Sequence, residues 1–217
     1  MQISVGAPWE IFRLSGLSTS SWHTVDAYTK AGGIGSYTAQ YGILPDSDVG
    51  YSILAAHPDG DGSNAGLLEQ TILLPVLTKA VYGIARNQAL ANFGGRYTSP
   101  ATKSSLTLDV DAGPGLVITE FIYNGTNIIS VLAALGLAGG PPRVYPSNLE
   151  DKSKNRVAFR LVPQPTAGAC YSWSSVDSLR YGLQPLDELV FELGLDRKAI
   201  GVSDPGFRLS MKKVPGA

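Results

Sequence analysis

The side chains able to do chemistry in this chain are cations and aromatics rather than nucleophile–base pairs. Lys30 ends an apolar run, VDAYTK, beside Gly32-Gly33, and a glycine pair there lets a ligand or another backbone approach closely. Arg160 lies between Phe159 and Leu161 in a predicted strand. Strand parity turns it away from both, so it is a buried polarising group if that face lines an interior and a surface arginine if not. Phe121, Tyr123, Tyr145, Phe159, Tyr171, Trp173 and Tyr181 fall on predicted strands or their ends. Apart from Tyr145, these aromatics together with Trp9 and Tyr28 are the candidate ligand-contacting residues, because tyrosine and tryptophan combine apolar area with a hydrogen-bond donor. The lone cysteine, Cys170, has no neighbouring base to activate it. His57, Asp59 and Asp61 sit in a calcium-loop-like string, but Asn64 and Gln70 stand where that loop needs glycine and glutamate. His23 falls in a Ser/Thr-rich loop and reads as a surface residue. Two histidines and one cysteine do not make a zinc pattern, and no metal or other cofactor is expected.

These residues need elements to hold them. Val25 to Ala56 reads as three short β-rich runs cut by Gly32-Gly33 and Pro45-Asp46-Ser47-Asp48, an antiparallel meander filling residues 1–62. A breaker from His57 to Asn64 precedes a helix over 63–93, capped by Ser63 or Asn64, kinked by Pro75 and stopped by Gly94-Gly95. From 94 to 217, strands are predicted at Ser104–Val110, Leu116–Tyr123, Asn127–Leu135, Pro142–Tyr145, Arg156–Val162, Tyr171–Asp177, Glu188–Leu193 and Phe207–Lys213, with Asn124-Gly125 as the strongest hairpin signal. Such spacing suggests a closed antiparallel barrel. The fold class is α+β, mostly β.

Composition narrows the partners. The formal net charge of −1 and the absence of a dense basic run argue against nucleic acid. A single cysteine excludes an internal disulfide. The N-terminal residues do not read as a signal peptide, which points to a cytoplasmic protein. The apolar tract over 64–92 carries Glu69, Gln70, Lys79 and Arg86, so no membrane span is expected. Asn124-Gly125-Thr126 matches a glycosylation sequon but reads better as a turn.

The order of GAPWEIFR, VDAYTKAGGIGSYTAQYGILPDSDVGYSILAA, ANFGGRYTSP, GPGLVITEFIYNGTNIISVLAAL, RVYPSN, NRVAFRLV, YSWSSVDSLRYG and DELVFEL resembles the C-terminal part of fungal serine-β-lactamase-like proteins. The resemblance implies the end of a β-lactamase-type domain followed by a lipocalin-like barrel. It also implies that Lys30-Ala31-Gly32 stands for the K-[ST]-G motif, with alanine in place of the hydroxyl residue. In that role Lys30 would hold an anion or polarise a carbonyl. The S-x-x-K and Y-x-N motifs that precede it in such enzymes have no counterpart in the residues before Lys30. Ser210-Met211-Lys212-Lys213 repeats the first as a string, at the wrong end and on a predicted strand.

Two functions follow. In the first, the barrel stands alone, binds a small apolar molecule and promotes a cofactor-free cyclisation or isomerisation in fungal secondary metabolism, with Lys30 and Arg160 as candidate polarising groups. In the second, the chain is the non-nucleophilic half of a serine hydrolase or acyltransferase, and a partner chain covers the meander; a homodimer or a non-catalytic binding module are further possibilities. An exposed apolar face on the meander favours a covering partner.

Overall fold

The computed structural model describes residues 2–14, 25–57, 64–164 and 179–216. His23, Asp59, Asp61, Ser63, Cys170, Tyr171 and Trp173, and the strand predicted at Tyr171–Asp177, lie outside those residues. The chain divides into two compact units, Met1–Ala85 and Arg86–Ala217.

The first unit is the expected meander, with one more hairpin at its start. Strands β1 (Gln2–Gly6), β2 (Trp9–Leu14), β3 (Val25–Ile34), β4 (Tyr37–Leu44) and β5 (Val49–Ala56) pair in sequence order, all antiparallel. Pro8 lies in the β1–β2 turn, where its lack of an N–H costs no ladder bond. Phe12, Leu14, Val25, Ala27 and Leu44 form one buried face, closed by Leu74. Helix α1 (Asn64–Leu68) runs through a π turn, Glu69–Leu73, into α2 (Leu74–Phe93). The irregularity falls where it must: Pro75 has no N–H for the carbonyl four residues back, and its ring crowds it. By length and composition the span Ala65–Phe93 is apolar enough to cross a membrane. Within the first unit, Leu74 and Thr78 are its buried positions in α2.

The second unit contains the barrel. Strands β6 (Gly95–Ser99), β7 (Ser104–Asp109), β8 (Leu116–Tyr123), β10 (Gly140–Asp151), β11 (Arg156–Gln164), β14 (Glu188–Leu193), β15 (Ala199–Asp204) and β16 (Leu209–Lys213) pair in chain order, and β10 returns to β8 through Arg143 opposite Val117 and Val144 opposite Leu116. The order β16–β6 completes the circle, giving an eight-stranded up-and-down antiparallel barrel. Short β9 (Thr126–Asn127), and β12 (Arg180–Tyr181) with β13 (Gln184–Pro185), make minor pairings. The interior holds Tyr97, Leu106, Leu108, Ile118, Phe121, Val144, Phe159, Leu161, Phe191, Val202, Leu209 and Met211, all buried. Alternation on β7, β11 and β14 selects these side chains.

The segment predicted as a strand at Asn127–Leu135 is instead helix α3 (Ile128–Ala134). Its Ile, Ile and Val argue for a strand by propensity. Asn127 overrides them: its side-chain oxygen accepts from the Ser130 N–H and caps a first helical turn, while Leu132 is buried in the barrel core.

Arg143, on β10, clamps the loop between β7 and β8. It donates to both carboxylate oxygens of Asp111, at 2.9 and 2.6 Å, and to the Pro114 carbonyl at 3.0 Å. Gly113 is required beneath it, since a Cβ there would lie 2.1 Å from the guanidinium. The arginine's hydrogen bonds hold the Asp111 carboxyl below the ordinary carboxylate range. Arg143→Ala is expected to cost roughly 2 kcal/mol, the scale of hydrogen bonds to charged groups. Denaturant unfolding checks this as a lower midpoint, and an unchanged midpoint would mean the loop is held without the clamp.

Candidate functional site

Lys30 is positioned by the alternation of β3. Val25, Ala27 and Thr29 point into the buried face; Tyr28 and Lys30 point to the other. On this open face Lys30 lies opposite Tyr41 in the β3–β4 register, and Gly32 opposite Ala39. Ala39 in turn faces Leu54 on β5. Trp9 stacks on Tyr41 with ring centroids 6.0 Å apart and meets Tyr28 edge-on at 6.4 Å. Of the candidate residues, Trp9, Tyr28 and Lys30 are therefore brought together.

Glu10 lies opposite Thr29 in the β2–β3 register, on the other side of the sheet from Tyr28 and Tyr41, and its pairing with Lys30 was not legible in the sequence. Its carboxylate accepts from Lys30 Nζ at 2.7 Å across twenty residues of chain, and its backbone carbonyl accepts from Thr29 Oγ1 at 3.0 Å. Both ionic side chains are about half exposed, so the pair contributes little to stability, of order 0–1 kcal/mol. Its effect is on charge: the ammonium is already balanced.

Beyond Lys30 the same sheet carries a groove of about 540 Å³, lined by Gly32, Gly33, Ile34, Tyr37, Thr38, Ala39, Leu54, Ala55 and Ala56. No charged residue lines it. Leu54 and Ile34 are each 80% exposed, and Tyr37 and Tyr41 are exposed beside them. A Cβ added at Gly32 would meet no atom within 4 Å, so the space above it is open.

The opposite, buried face holds a second polar pair that the sequence did not announce. Tyr51 donates to Glu69 Oε1 at 2.6 Å, and Glu69, in the π turn, is 1% exposed. Burial drives the Glu69 carboxyl above its ordinary range, against the opposing Tyr51 hydrogen bond. Gly42 leaves room for the tyrosine ring, which a Cβ would meet at 2.3 Å.

The remaining candidates are dispersed. Phe121 and Phe159 are core side chains of the barrel. Tyr123 is half-buried and donates to the Phe207 carbonyl at 3.1 Å. Tyr181 is exposed, with the Arg208 guanidinium 5.9 Å from its ring. Arg160 does not face the interior: Phe159 and Leu161 take that side, and Arg160 turns outward to pair with Asp187 at 2.7 Å. The condition for a buried polariser is not met. No group of three or more metal-ligating side chains occurs among the described residues.

Similar proteins place the chain. A beta-lactamase-like protein of Arthroderma benhamiae is 29% identical over 94% of this chain and 40% of its own length. A protein named probable hydrolase M10, from a Phoma species, is 26% identical over 96% of the chain and 38% of its own length. The chain thus spans about two fifths of these relatives. Among solved structures, the octameric penicillin-binding protein homologue from Pyrococcus abyssi matches 97% of the chain and 37% of its own length, at 15% identity and a TM-score of 0.34, too low to carry the fold. Residues 85–215, the span that builds the barrel, match the family described as "Beta-lactamase-like-like, C-terminal domain", and the chain belongs to that family.

Proposed function

We propose that the chain supplies the lysine-bearing sheet of a serine-hydrolase-type acyl-transfer site, with the nucleophile carried by polypeptide outside these 217 residues. The open face of the meander carries the reading. It gathers Lys30, Trp9, Tyr28 and Tyr41 beside an apolar groove and leaves Ile34, Tyr37 and Leu54 in solvent. A contiguous apolar face with a cation beside it is a surface to be covered, not a finished exterior. Strand β5 supports the same view. Among the described residues it pairs only with β4, and its sequence VGYSILAA has none of the charges that guard edge strands. Two relatives carry the name probable hydrolase, which agrees with the reaction class.

Lys30 would then donate to the carbonyl oxygen as negative charge develops on it, an interaction that strengthens in the transition state. Cofactor-free cyclisation inside the barrel would need an apolar chamber. The described interior is occupied by core side chains instead, including two of the proposed ligand contacts, Phe121 and Phe159.

The test is a fluorophosphonate serine label and p-nitrophenyl acetate hydrolysis. Both are applied to the chain alone and to the chain joined to the upstream part of the Arthroderma relative. Expected are no reaction alone, and labelling with turnover in the joined protein. Lys30→Ala in the joined protein should lower kcat by about 10²–10³, the scale of losing one oxyanion donor. Labelling of the chain alone would end the reading. So would a folded joined protein that fails to label, or one indifferent to Lys30→Ala.

A further inference from the structure

We infer that Asn124 is a glycan attachment site: its side-chain amide takes an oligosaccharide from a lipid-pyrophosphate donor, which puts this part of the chain in a secretory lumen rather than the cytoplasm. Three observations on the β8–β9 hairpin carry it, independently of the acyl-transfer reading above.

The first is the acceptor string. Asn124-Gly125-Thr126 is the only place in the chain where serine or threonine stands two residues after an asparagine, and the residue between is not proline. The same string is also a tight turn, with φ of 48° at Asn124 and 78° at Gly125. The two roles do not compete, because the turn uses the backbone and glycosyl transfer uses the side chains.

The second is the division of labour in the hydrogen bonds. The Asn124 N–H donates to the Ser104 hydroxyl at 3.1 Å, and the Gly125 N–H donates to the Lys103 carbonyl at 3.1 Å. Tyr123 pairs with Thr126 across the turn. The backbone is therefore anchored. Among the described residues no hydrogen bond engages the Asn124 side-chain amide or the Thr126 hydroxyl. Asn127, three residues on, shows the contrast: its side-chain oxygen is spent on capping α3.

The third is room. Asn124, Gly125 and Thr126 are all exposed, and a Cβ added at Gly125 would meet no atom within 4 Å. A glycan on a buried asparagine would have to leave water with its hydroxyls unpaired when the chain folds. At this hairpin tip it stays solvated, as a bulky surface group must.

The transfer is a substitution at the anomeric carbon of the first sugar. Asn124 Nδ2 forms the new bond to that carbon. The bond from the carbon to the lipid pyrophosphate breaks, the pyrophosphate leaves with the electron pair, and the amide gives up one proton to the transferase.

The test takes the protein from the cells that make it and digests it with trypsin. Residues 104–143 are released as one peptide, since no lysine or arginine lies between Lys103 and Arg143. That peptide is expected to be absent at the mass of its amino acids alone, and to appear after treatment with a glycan-removing amidase, with Asn124 converted to aspartate. In a second arm the chain is translated behind a cleavable leader in the presence of microsomes. A shift to higher mass by one glycan is expected, lost in Asn124→Gln and in Thr126→Ala and kept in Thr126→Ser, which retains the hydroxyl. Recovery of the native peptide at its plain mass overturns the inference. So does translation in microsomes without a shift, or a shift that survives Thr126→Ala.

Discussion

Asp204→Asn is expected to remove a fall in stability that the unaltered barrel shows between about pH 4 and pH 7. Asp204 ends β15 on the same side as Val202, facing inward, and is 0% exposed. Its Oδ1 accepts from the Phe207 N–H at 3.0 Å, while Oδ2 has no partner. Burial pushes the carboxyl up to about 7 from 3.8; nearby Asp187 and Glu188 add to this, and the Phe207 and Gly206 amides oppose it. Asp187 is itself engaged by Arg160. The folded state thus holds a proton that the unfolded chain releases near pH 4. The associated stabilisation is whole below that value and is lost as pH rises through about 7. Its size is of order 4 kcal/mol, at about 1.4 kcal/mol for each pH unit between the two values. Asparagine keeps the Oδ1 acceptor and cannot ionise. Urea midpoints measured from pH 4 to pH 8 should decline for the parent and stay level by comparison in the variant, which becomes the more stable of the two above about pH 7. Parallel curves would mean that Asp204 is charged and satisfied throughout.

Much of the barrel was legible because local chemistry and packing agree there. Leu116–Tyr123 and Glu188–Leu193 were predicted with the bounds the structure has, since each is a short run rich in apolar strand-forming residues between clear turns. Asn124-Gly125 turns as expected: both residues have positive φ, 48° and 78°, and Tyr123 pairs with Thr126 across them. Strands β6 and β15 were missed for opposite reasons. Gly95 begins β6 immediately after the glycine that stops the helix, so the stop signal masked the strand. In β15, Gly201 interrupts the apolar pattern, although Val202 and Asp204 still point inward. Helix α3 shows the limit of propensity, since one capping asparagine outweighed three β-branched residues. Of the candidate site, Lys30 and its glycines were visible from type and spacing. Glu10 was not, because nothing local links residues twenty apart; only the pairing of β2 with β3 brings them together. The aromatics misled for a physical reason as well. A strand aromatic reads the same whether it lines a chamber or fills one, and only the packing of its neighbours decides.

That packing makes Phe191→Ala the decisive probe of the barrel. Phe191 is fully buried, with its ring 5.0 Å from Phe159, 5.2 Å from Phe93 and 5.9 Å from Tyr97. Each neighbour is held in turn: Phe93 also packs on Phe159 at 4.8 Å, and the Tyr97 hydroxyl donates to the Phe93 carbonyl at 2.6 Å. Rings this interlocked cannot collapse into the space one of them leaves, so truncation should cost about 3–5 kcal/mol and leave a dry cavity. Benzene is the matching ligand. It should raise the melting temperature of the variant and leave that of the parent unchanged, because the parent has Phe191 where benzene would sit. Where Phe191→Ala fails to fold, Phe191→Leu makes a smaller cavity and should show the same selective stabilisation by a smaller probe such as xenon. A parent barrel stabilised by benzene as strongly as the variant would show a chamber already open among these rings. The cyclisation reading would then regain the pocket it lacks, and the case for placing the chemistry on the meander would weaken accordingly.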